Sequence, residues 1–170
     1  MIAVVNDANI LIDIIKLKMV SEFFRISWQF HVPSIIVYSE LYDSQINELK
    51  PHIESGKLFL DEFTAEEVEE ICLINREKPQ LSDKDCTAFY CARKLSAALI
   101  TSDNNLRRFA KSKRLDVHGH FWVLDHLVEE EIISPEMAVL KLAELDIVNP
   151  RLKLPREECE KRIALWSKKE

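Results

Sequence analysis

The sequence predicts an α/β fold in which a central parallel sheet is flanked by helices. Two observations carry this expectation. Short apolar runs of strand type alternate with segments whose apolar residues recur at helical spacing. Several of those helical segments also open on start signals, a Ser, Thr or Asp N-cap followed by acids or by proline.

Taken in order, Ile2–Asn6 (IAVVN) is a strand-type run ending at a polar pair, Asn6 and Asp7. The following ANILIDIIKLKM is apolar on nearly every face, as suits a helix packed on a sheet. Phe30–Val32 gives a second strand, and Pro33 fits the first turn of one helix running to about Leu49. Lys57–Phe63 reads as a third strand. Thr64-Ala-Glu-Glu67 has capping-box spacing and opens a helix through Asn75, and Ser82-Asp-Lys-Asp85 opens another to about Leu95. Ala97–Thr101 is a strand, Ser102-Asp103 caps a helix to Lys113, and Asp116–His118 is a brief strand. Gly119 turns into a helix over Trp122–Glu130, and Ser134-Pro135 starts one more. Asn149–Pro155 holds two prolines and breaks the pattern; beyond it Cys159, Ile163 and Trp166 share one face of a charged, amphipathic helix. The expected division is a domain over residues 1–148 and a helical extension over 149–170.

Composition excludes several function classes. With 2 glycines in 170 residues, the chain has no dinucleotide fingerprint and no glycine-rich phosphate loop, so ligands are gripped with side chains. No run of about 18 apolar residues is present to span a membrane, and the N-terminus has no basic region of signal type, which points to the cytoplasm. The 4 cysteines lack metal spacing and read as free thiols. The net charge of −6 speaks against a general nucleic-acid binder, yet residues 103–118 and 149–170 each carry a formal +3. Basic patches beside an acidic concentration suit a polyanion bound through metal ions.

In a parallel sheet, ligands bind outside the carboxyl ends of the strands. Asp7 follows the first strand there and Asp103 follows the AALIT strand; either can also serve as a helix cap. Asp85 is the fourth residue of a capping box, but Ala88, Phe89 and Ala92 put it on the inward stripe. A carboxylate so placed costs several kcal/mol unless paired or metal-bound. Glu40 repeats the anomaly beside Ile36 and Val37, where a nearby Lys or Arg can neutralise it. Oxygen-only ligands favour Mg²⁺ or Mn²⁺. The histidines of H118-G-H120 and His126 do not complete a zinc set and read as structural. Asp13 is open between a bond near the site, solvation and an ion pair. Trp28, Trp122 and Trp166 read as packing or interface residues.

NDANILID, the Glu of SELYD, LSDKD and LITSDNNLRRFA stand in the order found in PIN-domain nucleases, and the chain resembles that family over roughly residues 2–148. HGHFWVLDHL and RLKLP are similar to a bacterial branch related to VapC-type toxins. The resemblance implies a PIN-like three-layer sandwich and an endoribonuclease dependent on Mg²⁺ or Mn²⁺. It makes Asp7, Glu40, Asp85 and Asp103 the catalytic and metal-binding acids, with Asn9 and Thr101 supporting them. Asn105 stands where many members have a further Asp, which weakens a second metal position. Arg107, Arg108 and Lys111 on the outer face of the 104–113 helix are the expected RNA contacts. Leu106, Phe109 and Ala110 form its inner face. The implied partners are RNA, an antitoxin protein and a second copy of the chain; the alternative is a catalytically weak PIN-like module that binds RNA or protein.

Overall fold

The computed structural model describes residues 2–168. Five strands form one all-parallel sheet among these residues: β1 (Ile2–Asn6), β2 (Trp28–Pro33), β3 (Leu58–Asp61), β4 (Ala98–Ile100) and β5 (Val117–His118), in the order β3-β2-β1-β4-β5. The strands are short and buried, so they read as near-continuous apolar runs rather than as an alternation. Val4, Val5, Phe30, Val32, Leu99 and Ile100 are fully buried at the centre of the core.

The chain winds outward from β1 to β2 to β3, then crosses back to lay β4 on the other side of β1. The helices follow that path. Between β1 and β3 lie α1 (Ala8–Lys16), α2 (Val20–Phe23), α3 (Ser34–Glu40) and α4 (Asp43–Glu54). The return carries α5 (Ala65–Glu77) and α6 (Asp83–Leu95), and α7 (Asn104–Ser112) joins β4 to β5. Helix α6 lies across β1, β2 and β4 and packs between α5 and α7, whereas α1 packs with α2, α3 and α4. Right-handed crossovers in opposite directions put these two groups on opposite faces, giving the three-layer sandwich. Three further helices, α8 (His120–Glu129), α9 (Pro135–Val148) and α10 (Arg156–Trp166), complete the chain, with α9 touching α1, α8 and α10.

The start signals act as the sequence predicts. Ser82, Thr64 and Ser134 each accept from a backbone N–H of the first turn, and the boxes at Thr64 and Ser82 are reciprocal. The expected helix over 33–49 is divided instead: α3 ends at Glu40, Leu41 is extended, and α4 begins at Asp43. Leu41 turns into the core, and the Tyr42 N–H donates to the Gln45 side chain at 2.9 Å, a local start signal that competes with helix continuation. The first helix likewise stops at Lys16, where Lys18 takes a left-handed backbone (φ 55°) before the unforeseen α2.

Beyond α9, Trp166 is almost completely buried, and its indole N–H donates to Asp125 on α8 at 3.1 Å. Arg162 donates to the same carboxylate at 3.1 Å. These bonds fix α10 against α8.

Candidate active site

The reversal of strand order falls between β1 and β4, and such switch points open a crevice at the carboxyl edge of a parallel sheet. Asp7 leaves β1 there. Its N–H donates to the Ile100 carbonyl of β4 at 3.0 Å, so the ladder extends to the acid itself. Its side chain makes no cap bond to α1; it accepts from the Thr101 hydroxyl at 2.8 Å. Thr101 follows β4 immediately, is fully buried, and its Oγ1 also accepts from the Asp103 N–H at 3.0 Å. One hydroxyl thereby sets the positions of the first and fourth acids.

Asp7 is buried, and that burial pushes its carboxyl up to about 6; the negative charges of Asp85 and Glu40 push the same way, while the Thr101 bond opposes them. The Asp85 carboxyl is also raised, chiefly by burial and further by the charges of Asp103 and Glu40, against two bonds from Ser82. Each of the four acids is therefore in electrostatic contact with at least one other of the set. Four structural elements bring them together: the carboxyl ends of β1 and β4, the end of α3, and the N-terminus of α6.

Three of the acids commit one oxygen inside the fold and leave the other without a hydrogen-bond partner among the described residues. Asp103 caps α7, its Oδ1 accepting from the Leu106 N–H at 2.7 Å. Asp85 uses Oδ2 in the α6 capping box, with Ser82 N and Oγ each at 2.8 Å. The capping role therefore accounts for part of the carboxylate that the sequence places on the inward stripe. Glu40 Oε1 pairs with Lys84 Nζ at 3.0 Å.

Hard oxygen donors with uncompensated negative charge fit a divalent cation by donor type. Among the described residues no three His, Cys, Asp or Glu side chains are gathered closely enough to hold an ion as they stand. Closing such a set requires side-chain movement, starting from half-buried Glu40, Lys84 and Asp85.

The remaining expected residues divide clearly. Asn9 lies exposed in the first turn of α1, and Asn105 is exposed on α7, accepting from Arg108 Nη2 at 2.8 Å. Arg108 and Lys111 face solvent as expected. Arg107 does not lie on the outer face: it is half-buried, and its Nη2 donates to the carbonyls of Thr101 (2.7 Å) and His118 (2.9 Å) at the ends of β4 and β5. Burial lowers its basicity.

Two buried polar residues were not singled out for the site. Asn6 donates from Nδ2 to the His31 carbonyl at 3.1 Å, while its buried Oδ1 has no partner. Its position inside the first strand, directly before Asp7, is the one signal the sequence offers. His120 Nε2 stands 2.9 Å from Asp13 Oδ2, with both side chains buried, and Asn149 Nδ2 donates to that oxygen at 2.8 Å. The His120 Nε2 makes no directed hydrogen bond, so the contact is one of close packing between two buried polar groups. Asp13 is thus spent on joining α1, α8 and the end of α9.

The sequence pattern of the PIN domain matches residues 3–167, all four acids included. The chain belongs to the PIN-domain family. Members of that family are generally nucleases and usually use divalent metal ions. The match runs through α10, so the family's sequence pattern includes the terminal helix packed on α8 and α9. No curated protein matches the chain. Among the described residues, no helix is long and apolar enough to cross a membrane.

Proposed function

We propose that this PIN-domain protein is a metal-dependent endoribonuclease that hydrolyses RNA phosphodiester bonds. The observation that carries the reading is Asp7, a buried carboxylate at the β1/β4 switch point whose ionisation is opposed by burial and by two neighbouring acids. Keeping an ionisable acid there is costly unless positive charge arrives. Asp7 and Asp103, tied together through Thr101, would hold one Mg²⁺ or Mn²⁺, with Glu40 and Asp85 completing or bridging the set. A bound cation of this kind supplies Lewis-acid activation of water and charge neutralisation at the scissile phosphate.

The residues of the chain set the geometry. Thr101 orients Asp7, the α7 cap orients Asp103, and Ser82 holds Asp85 at the head of α6. Lys84 neutralises Glu40, and a cation held there would have to displace this pair. Asn105 offers a neutral amide where a further acid would strengthen a second metal position.

A fluorescent single-stranded RNA incubated with the pure chain tests the reading. Internal cleavage with Mg²⁺ or Mn²⁺ that stops on chelation supports it; intact RNA, or hydrolysis only of small phosphomonoesters, rejects it. The second reading, a binding module without turnover, is favoured by the internal commitments of Glu40, Asp85 and Asp103, and it predicts RNA retention without products. The sequence resemblance adds the proposal of a toxin restrained by a protein antitoxin. Induced expression should then arrest growth, and D103N should relieve the arrest.

A further inference from the structure

A cleft of about 590 Å³ opens next to Asp103, whose chain neighbours Ser102 and Asn104 line it. One wall is the carboxyl end of β5 and the start of α8; the other is the segment joining α9 to α10. Arg107 lies in this cleft, and its situation is unusual. The guanidinium is half-buried, yet both acceptors that hold it are neutral backbone carbonyls, and no carboxylate pairs with it among the described residues. Burying a guanidinium without a counter-anion is unfavourable. The fold nevertheless makes room for it: a Cβ on Gly119 would stand 2.5 Å from Arg107 Nη2, so the one glycine in this loop is what admits the group. Gly119 has an extended backbone, which leaves the space above it as the reason for glycine at this position.

Two more cations line the cleft without carboxylate partners among the described residues, Lys111 one turn after Arg107 and Lys153 on the facing segment. Lys153 is held in a left-handed backbone (φ 45°), a conformation that costs energy for a residue with a side chain. Arg162, by contrast, is neutralised by Asp125 and Glu158 and serves to anchor α10.

We propose that this cleft is an RNA-backbone subsite: Arg107 seats a phosphate next to the scissile one, and Lys111 and Lys153 flank the strand. The C-terminal segment thus forms part of the substrate groove. The inference rests on the endoribonuclease reading and deepens it. A pinned guanidinium with its Nη1 and Nε donors uncommitted suits a phosphate oxygen pair, and it loses little freedom on binding. Arg108, on the far side of α7 and tied to Asn105, lies outside this groove.

The test measures equilibrium binding of a fluorescent single-stranded RNA in chelator, where nothing is cut, using the full chain. K111A/K153A removes two exposed lysines that make no side-chain bond, so folding should persist. Affinity should fall about 10-fold near 0.1 M salt, and the slope of log K against log salt should shrink by about 1.4, as expected for two lost phosphate contacts. G119A, which displaces the Arg107 guanidinium, should weaken binding again while its circular dichroism remains native. K50A, on the exposed side of α4 and outside the cleft, should leave affinity within about two-fold, because one exposed charge outside the groove adds little. Unchanged affinity and slope in K111A/K153A overturn the subsite, as does preferential binding of an acidic peptide over RNA. If wild-type chain binds RNA through these residues but never cleaves it, the nuclease reading fails and the subsite stands. If it cleaves while K111A/K153A binds and cleaves as wild type, the reverse holds.

Discussion

The Thr101 hydroxyl donates to the Asp7 carboxylate at 2.8 Å, joining residues 94 positions apart in sequence at the carboxyl ends of neighbouring strands. The same oxygen receives the Asp103 N–H, so two acids of the candidate site are positioned by one side chain.

Replacing that hydroxyl should be felt in the pH profile. T101V removes the larger of the two bonds that lower the Asp7 carboxyl and leaves only the Ala8 N–H to oppose its burial. The rise of cleavage rate with pH should move upward, and the rate at pH 6 should fall by about 10-fold or more, the scale of one lost charge-assisted bond. T101S should restore both. An unshifted profile in T101V would remove Thr101 from the site's electrostatics.

Asp7 should cost the metal-free chain stability. Its carboxyl lies at about 6 in the fold against 3.8 for an ordinary aspartate, so the folded chain holds this proton more tightly than the unfolded chain. The contribution is present in full below about 3.8 and is lost as pH rises through about 6, a change of about 3 kcal/mol at most. D7N should therefore raise the melting temperature in chelator at pH 8 and not at pH 3.5. Equal effects at both values would contradict the assigned cause.

Lys84 should compete with the cation. Its bond to Glu40 is partly exposed and contributes about 0–1 kcal/mol, so K84M should fold normally. With Glu40 released, Mn²⁺ affinity by calorimetry should rise several-fold, because one competing positive charge is gone. Equal or weaker Mn²⁺ binding would show that Lys84 does not guard the site.

The Asp13–His120 pair should matter to stability instead. Both side chains are almost wholly buried, and H120A leaves a cavity beside a buried carboxylate that keeps only its bond from Asn149. Denaturant unfolding should show a loss of about 1–3 kcal/mol, the usual cost of leaving a buried polar group without its neighbour. Mn²⁺ affinity of the folded fraction should not change. A small loss of stability together with weakened metal binding would place Asp13 in the site.

Much of the fold was legible because its signals are local. Thr64, Ser82 and Ser134 announce their helices through cap chemistry, and the buried strands announce themselves as short apolar runs. The break at Leu41 was not legible, since it depends on a buried leucine and on a bond between Tyr42 and Gln45 that compete with a strong helical pattern. At the site, Asp7 and Asp103 could be placed from their positions after strands. What the sequence could not convey is how carboxylate oxygens are shared, with Lys84 on Glu40 and Ser82 on Asp85, or that Arg107 turns inward over Gly119. Those facts come from long-range packing, and helical spacing alone assigned Arg107 to the solvent side.

Internal cleavage of single-stranded RNA by wild-type and D7A chains, with Mn²⁺ and with chelator, shows whether the acids at the switch point hold a catalytic metal. The wild type should cleave in Mn²⁺ alone and D7A not at all, while the circular dichroism and melting of D7A remain those of a folded chain. Equal cleavage by folded D7A, or cleavage by the wild type that persists in chelator, would contradict a catalytic metal at these acids.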